Sequence, residues 1–224
     1  MPSRPFAPIL QQARQRLGEE ALAARLPRAK SKEELRAVAN DRYLSLMSLR
    51  IFRAGLKHSL VDAKWPAFET AFQGFDPRRV RAMSDEAMEG LLKNDRLIRH
   101  WGKLKSVRAN AAAMLEIAAE KGSFSAFLAD WPESDIVGLW DVLRRRGSRL
   151  GGFSGQMVLR HLGKDTFMLT DAVLRALREQ GLVEGKSPTS QAALRKVQDA
   201  FNGWRDESGR ALCELSQTLA LSVP

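Results

Sequence analysis

Apolar residues recur along most of this chain with the period of an α-helix. In residues 42–57 they cover most of a helix surface, from Tyr43 to Ala54, which is the pattern of a largely buried helix. Alternation with a period of two, the signature of a half-buried strand, is not sustained over any useful length. The pattern therefore predicts an all-α fold.

Local signals mark where several helices begin. Ser31 followed by Glu34 has the spacing of a capping box, which predicts a helix start at Lys32. Asp76 precedes Pro77, the order expected of an N-cap and a first helical residue. Further helices are predicted over residues 61–72, 100–120, 134–143 and 209–221, and from Ser187 onward.

The composition is that of a globular protein, with 224 residues of which 44% are apolar and 28% charged. No internal repeat or low-complexity linker interrupts it, and the best candidate joint is the short loop at residues 181–188. We expect one compact unit over residues 1–224, with two lobes and a cleft between them. Residues 1–40 and 187–221 would supply N-terminal and C-terminal helices.

A net charge of +10 and an isoelectric point near 10.2 favour a polyanionic partner. DNA or RNA is the simplest choice, because cations on a protein release counterions from the phosphates; a membrane surface is the competing polyanion. No apolar run is long enough to span a bilayer, and the N-terminal residues lack the apolar core of a signal peptide. We expect a cytoplasmic, nucleoid-associated protein.

Residues 144–175 begin with three consecutive arginines and contain a glycine-rich segment with two flanking helix patterns. Glycines between helices let the backbone approach another molecule closely, and the unpaired amides that open the next helix suit a phosphate. This arrangement is typical of a helix-hairpin-helix that binds a nucleic-acid backbone. The residues that we assign to DNA contact here are Arg149, Gly151, Gly152, Ser154, Gly155 and Lys164.

Plainer interpretations of these patterns remain open. Glycine-rich joints between helices are common, so the segment GGFSG is also compatible with an ordinary interhelical turn. Arg50, Arg53 and Lys57 share one polar stripe of their helix, which is either solvated or directed at phosphates.

Residues 42–131 resemble the DNA-3-methyladenine glycosylase I (Tag) family. The similarity rests on Ala54-Gly55-Leu56, on the turn Phe75-Asp76-Pro77, and on the block from Leu97 to Leu104 that leads to Asn110-Ala111. The hairpin extends the similarity to the helix-hairpin-helix glycosylase superfamily, and thus over residues 42–178. The resemblance implies a base-excision repair enzyme that flips a damaged base out of double-stranded DNA and hydrolyses its N-glycosidic bond, without a cofactor and as a monomer.

Two positions depart from the family pattern. Where the family places a glutamate and a tryptophan around the Ala-Gly-Leu motif, to hold the base, this chain has Arg50 and His58. A carboxylate suits a cationic alkylated purine, whereas a guanidinium repels positive charge and offers donors only. The substrate therefore need not be 3-methyladenine. The family's zinc ligands are missing as well, because Cys213 is the one cysteine, and we expect no structural metal.

The resemblance also assigns roles to other residues. Asp171 would stabilise an oxocarbenium-like state or orient a water, or would simply cap its helix, with Thr170 an alternative register. Arg99 and Lys103 would lie near the DNA, with Lys103 on the outside of its helix. Leu56 is a candidate wedge into the duplex or an ordinary core residue.

The hairpin lacks the lysine of bifunctional relatives, which implies a monofunctional enzyme. A catalytically silent protein of the same fold, which binds DNA structures or lesions, is the alternative function.

Overall fold

The computed structural model describes residues 5–224, which form α-helices, short 3-10 turns and connecting loops, with no strand among them. The all-α prediction is confirmed. The helices are α1 (Ala7–Leu17), α2 (Glu19–Ala23), α3 (Lys32–Arg36), α4 (Asn40–Arg53), α5 (His58–Ala71), α6 (Pro77–Arg81), α7 (Asp85–Gly90), α8 (Trp101–Lys121), α9 (Phe124–Asp130), α10 (Ile136–Arg146), α11 (Phe153–Leu162), α12 (Asp171–Glu179), α13 (Gln191–Ser208) and α14 (Leu212–Ser222).

The chain divides into two compact units. The first contains the described residues up to Lys30, together with Pro132–Leu139 and Asp165–Pro224. The second contains Ser31–Trp131 and Trp140–Lys164. No helix within residues 5–224 has both the length and the apolar character needed to cross a bilayer.

In the second unit α4 is the central helix and packs against α5, α8 and α11. An aromatic cluster fixes its end against α5, with the rings of Phe52 and Phe68 4.6 Å apart at a steep angle. Trp65 stacks on Phe68 at 4.9 Å and on Phe75 at 5.4 Å. Large aromatic side chains that interlock in this way strongly restrict how two helices can shift. The last turn of α4 is therefore held in place.

The helix starts predicted from Ser31 and from Asp76 are confirmed, whereas the helix predicted from Ser187 onward begins only at Gln191, after the N-cap Ser190. Ser31 and Glu34 form a complete capping box at the start of α3. The carboxylate of Asp76 accepts the amides of Arg78 and Arg79, so that α6 begins at Pro77.

The sequence predicts that the segment from Gly55 to His58 ends α4 with a C-cap-like glycine, and this is confirmed. The helix stops at Arg53, because Ala54 leaves the helical conformation and Gly55 takes a φ of +74°.

In the first unit α1 and α12 both pack against α14. The N-terminus of α14 is capped from a distance, since the carboxylate oxygens of Asp165 accept the amides of Leu212 and Cys213 at 2.9 and 2.8 Å. Phe167, two residues after Asp165, stacks on Phe201 of α13 at 4.3 Å. The segment after α11 therefore anchors two of the C-terminal helices.

Replacing Asp165 by alanine should lower the free energy of unfolding by about 1–2 kcal/mol, because two helix-end amides lose a charged acceptor. The exposed Asp199 on α13 is the matched control, and Asp199→Ala should change stability by less than about 0.5 kcal/mol. Equilibrium unfolding in urea measures both. Equal stability of the two variants would show that the remote cap contributes nothing.

Candidate functional site

A cavity of about 250 Å³ lies between the C-terminal end of α4 and the start of α11, within the second unit. Within each helix, the lining residues are neighbours in sequence or lie four residues apart. They therefore share one face of the helix. The lining residues are Arg50, Ile51, Ala54, Gly55, Phe153, Ser154, Met157 and Val158. The cavity thus joins a predicted base-pocket residue, Arg50, to a predicted DNA-contact residue, Ser154.

The predicted glycine turn between two helices is present beside this cavity. Gly151, Gly152 and Phe153 are exposed, and Gly152 precedes α11 with a φ of +56°. No side chain caps this helix, so its first amides lack the intrahelical acceptors that later residues have. The turn is accessible to a ligand.

Gly155 has a different role from the one predicted. It is buried, and a Cβ atom at this position would lie 2.4 Å from the carbonyl oxygen of Leu150. The glycine is required there because α11 closely approaches the chain that precedes it, which leaves no room for a side chain.

Two side chains, Asn110 of α8 and Arg149 of the turn, fix the segment that leads into α11. Asn110, which is buried, donates to the carbonyl of Ser148 at 3.1 Å and accepts the Ser148 amide at 2.7 Å. Arg149, with a φ of +61°, donates through Nε to the carbonyl of Gly102 at 2.9 Å. Sequence reasoning missed the positioning role of Asn110, although an asparagine among apolar positions of α8 was a signal for it.

The prediction that Lys103 points outward is wrong. Its side chain is buried, and Nζ donates to the carbonyls of Phe52 and Ala54 at 3.0 and 2.6 Å. These carbonyls lie at the end of α4, where intrahelical donors are lacking. Burial, and after it the charge of Arg149, lower the pKa of Lys103. The lysine joins α8 to α4 and its ammonium is directed into the protein.

Lys164 is also internal, contrary to the prediction that it adds positive charge to a DNA-binding surface. It is 1% exposed, and Nζ donates to the carbonyl of Trp131 at 2.6 Å. The residue follows Gly163, which ends α11 in the left-handed conformation. The geometry of that helix end turns the lysine inward.

Arg50 and His58, the two predicted base-pocket residues, have different settings. Arg50 is half-buried and lines the cavity, where burial and then the charge of Arg53 lower its pKa. His58 is the exposed first residue of α5 and is not among the lining residues. The structure therefore brings Arg50, but not His58, to the cavity wall.

Three exposed apolar residues are close in sequence to residues that line the cavity, or are among them. Leu56 is 37% exposed, Leu60 is 50% exposed and Phe153, which lines the cavity, is 45% exposed. The alternative that Leu56 is a core residue is wrong, because more than a third of its surface is exposed to solvent. Arg99 is exposed, as predicted for a residue near DNA.

Asp171 belongs to the first unit, where it is the exposed first residue of α12. Thr170 is the N-cap of this helix, since its side chain accepts the amide of Val173 at 3.2 Å. The alternative that Asp171 itself is the cap is therefore wrong, and its carboxylate is accessible.

Part of this chain is similar to a family of known proteins. Residues 35–144, which include α4, α8 and most of α10, match the family described as methyladenine glycosylase. The resemblance predicted from the sequence is confirmed over this segment.

Two curated relatives are similar to part of the chain. DNA-3-methyladenine glycosylase 1 of Escherichia coli (strain K12) is 34% identical over 76 residues, which are 34% of this chain and 41% of the relative. DNA-3-methyladenine glycosylase of Haemophilus influenzae is 33% identical over 76 residues, with the same coverage. The chain thus spans about two fifths of the length of these relatives.

Two solved structures that are similar to this chain are described as 3-methyladenine DNA glycosylase I. A crystal structure of 3-methyladenine DNA glycosylase I has 25% identity and a TM-score of 0.46, and the match covers 62% of this chain and 80% of that one. The Staphylococcus aureus enzyme has 22% identity and a TM-score of 0.48, over 70% of this chain and 84% of that one.

Replacing Lys103 by methionine should lower the free energy of unfolding by about 1–3 kcal/mol, because two helix-end carbonyls lose their donor. Lys105, exposed on the same helix, is the control, and Lys105→Met should change stability by less than about 0.5 kcal/mol. Thermal unfolding followed by circular dichroism compares them. A Lys103→Met protein as stable as the control would contradict the structural role of this lysine.

Proposed function

We propose that this chain is a monofunctional DNA glycosylase, which binds double-stranded DNA, turns a damaged base into the cavity between α4 and α11, and hydrolyses its N-glycosidic bond. The observation that carries the proposal is the position of Arg50 and Ser154 on one cavity beside an exposed glycine turn. The match of residues 35–144 to the methyladenine glycosylase family supports it. So do the two curated relatives, which are named as DNA-3-methyladenine glycosylases.

The glycine turn is the proposed binding site for the DNA backbone. Its exposed residues, Gly151 and Gly152, leave the backbone accessible, and the uncapped start of α11 presents amide donors. Such a group of donors at a helix N-terminus favours a phosphate. Exposed Arg99 and the wedge candidate Leu56 are further proposed DNA contacts.

Asp171 is the proposed catalytic carboxylate. A carboxylate stabilises the positive charge that develops on the sugar as the glycosidic bond breaks, or orients the attacking water. Its accessibility on α12, with Thr170 acting as the cap, supports this role.

The soluble interior of the cell, with its chromosomal DNA, is the proposed location. The basic net charge of +10 supports a nucleic-acid partner.

Binding of the DNA backbone by the glycine turn is tested by placing a carboxylate on the turn. Gly151→Asp should weaken binding to duplexes of any sequence by about tenfold or more, because the new charge lies where a phosphate is proposed to bind. A Cβ at Gly151 lies 3.3 Å from the flexible side chain of Arg144, so the variant should fold. Gly90→Asp, at an exposed glycine with open space around it, makes the same change of charge. Equal binding of DNA by both variants in a salt titration would contradict the proposal that the glycine turn binds a phosphate.

Catalysis is tested by single-turnover release of free base from duplexes that carry alkylated, deaminated or oxidised bases. The chain should release at least one of these bases, and Asp171→Asn should slow release about 100-fold or more. Glu179→Gln, which removes a charge from the exposed face of the same helix, should leave the rate unchanged.

Two other results would exclude parts of the proposal. Tight, salt-sensitive binding to abasic analogues without any release would select the catalytically silent DNA-binding protein. Release that is unaffected by Asp171→Asn would remove this residue from the mechanism.

A further inference from the structure

The cavity between α4 and α11 has an unusual charge for a pocket that would bind a cationic base. Arg50 is the charged residue among its eight described lining residues, and no carboxylate is among them. Within residues 5–224 the Arg50 guanidinium forms no hydrogen bond or ion pair. By contrast, Arg53 on the same helix is paired with Asp62 at 2.7 Å. The donors of Arg50 are therefore free for a ligand.

The rest of the wall fits a small planar group. Ile51, Met157 and Val158 are apolar, and Phe153 offers a partly exposed ring for stacking. Ser154 adds a hydroxyl that has no partner within the described part of the chain. The volume of about 250 Å³ is below the usual range of pockets for drug-sized ligands, as expected for a ligand the size of one base.

Resting on the proposed glycosylase function, we infer that this cavity binds a neutral, carbonyl-bearing base of the deaminated or oxidised class and disfavours a cationic N-alkylated purine. A guanidinium has five N–H donors and no acceptor. It matches the carbonyl oxygens of such a base, and it repels a base that carries a positive charge.

The same guanidinium would assist the chemistry of a neutral base. When the bond between C1′ and the base nitrogen breaks, its electron pair stays on the base, and the negative charge spreads to the carbonyl oxygen. Arg50 binds this oxygen more strongly in the transition state than in the ground state, which is the condition for catalysis. A water oxygen then bonds to C1′ and keeps one proton, and the second proton passes through solvent to the base nitrogen. A cationic base leaves as a neutral molecule and gains nothing from Arg50.

The test compares single-turnover release from one duplex sequence that carries uracil, hypoxanthine, 8-oxoguanine or 3-methyladenine. At least one of the three carbonyl-bearing bases should be released faster than 3-methyladenine. Arg50→Gln should slow that release about 100-fold or more, the usual effect of losing one oxyanion donor. Arg53→Gln removes the same charge from the same helix outside the cavity lining and should change the rate less than about threefold. Arg50→Glu should reverse the order and favour 3-methyladenine.

Each contrary result has a distinct meaning. Release of 3-methyladenine alone would overturn the inferred substrate class and leave the proposed glycosylase intact. Release of no base by the unaltered chain would remove the proposed function and the inference together. Equal slowing of all four substrates by Arg50→Gln, with weaker binding to undamaged duplex, would show that Arg50 contacts phosphate and would overturn the inference. Thermal unfolding of each variant confirms that the fold is retained.

Discussion

The carbonyl groups at the end of α4 need hydrogen-bond donors, and the buried ammonium of Lys103 supplies them. This contact fixes the last turn of α4, and hence Arg50 and Ala54 on the cavity wall, relative to α8. Arg149 extends the connection, because its guanidinium bonds the carbonyl of Gly102 on α8 from the turn that precedes α11. The two walls of the cavity are thus linked through the first residues of α8. Burying an ammonium costs free energy unless its donors are satisfied, so this arrangement tolerates few substitutions.

The excess of positive charge is only partly available for a polyanion. Lys103 and Lys164 are directed inward to carbonyl groups, and Arg146 is paired through two hydrogen bonds with Glu120. Exposed cations such as Arg99 remain open to solvent. Net charge therefore indicates the kind of partner but does not identify which residues contact it.

Local signals made much of the fold predictable. The capping box of Ser31 and Glu34 spans four residues, and its geometry depends on little beyond them. The helix–glycine–helix order of the hairpin was also predictable, because its signals lie close together in the sequence. The direction of a lysine depends on distant carbonyls, however, and Phe52 is 51 positions from Lys103 in the chain. The apolar pattern of α8 placed Lys103 on a polar face, and nothing in that pattern indicated that the end of α4 would need a donor there. The cavity beside Arg50 likewise depends on how α4 packs against α11, which periodicity alone does not specify.

From the chemical setting of Arg50 we infer that a base enters the cavity between α4 and α11 and meets a guanidinium there. A crystal structure of the chain bound to a duplex with a 2′-fluorinated, non-cleavable deoxyuridine tests this inference. We expect the uracil ring inside the cavity, with a carbonyl oxygen within hydrogen-bond distance of Arg50 and a phosphate against the turn at Gly151. A uracil that stays stacked in the duplex, or an Arg50 bound to phosphate with the cavity empty, would contradict it.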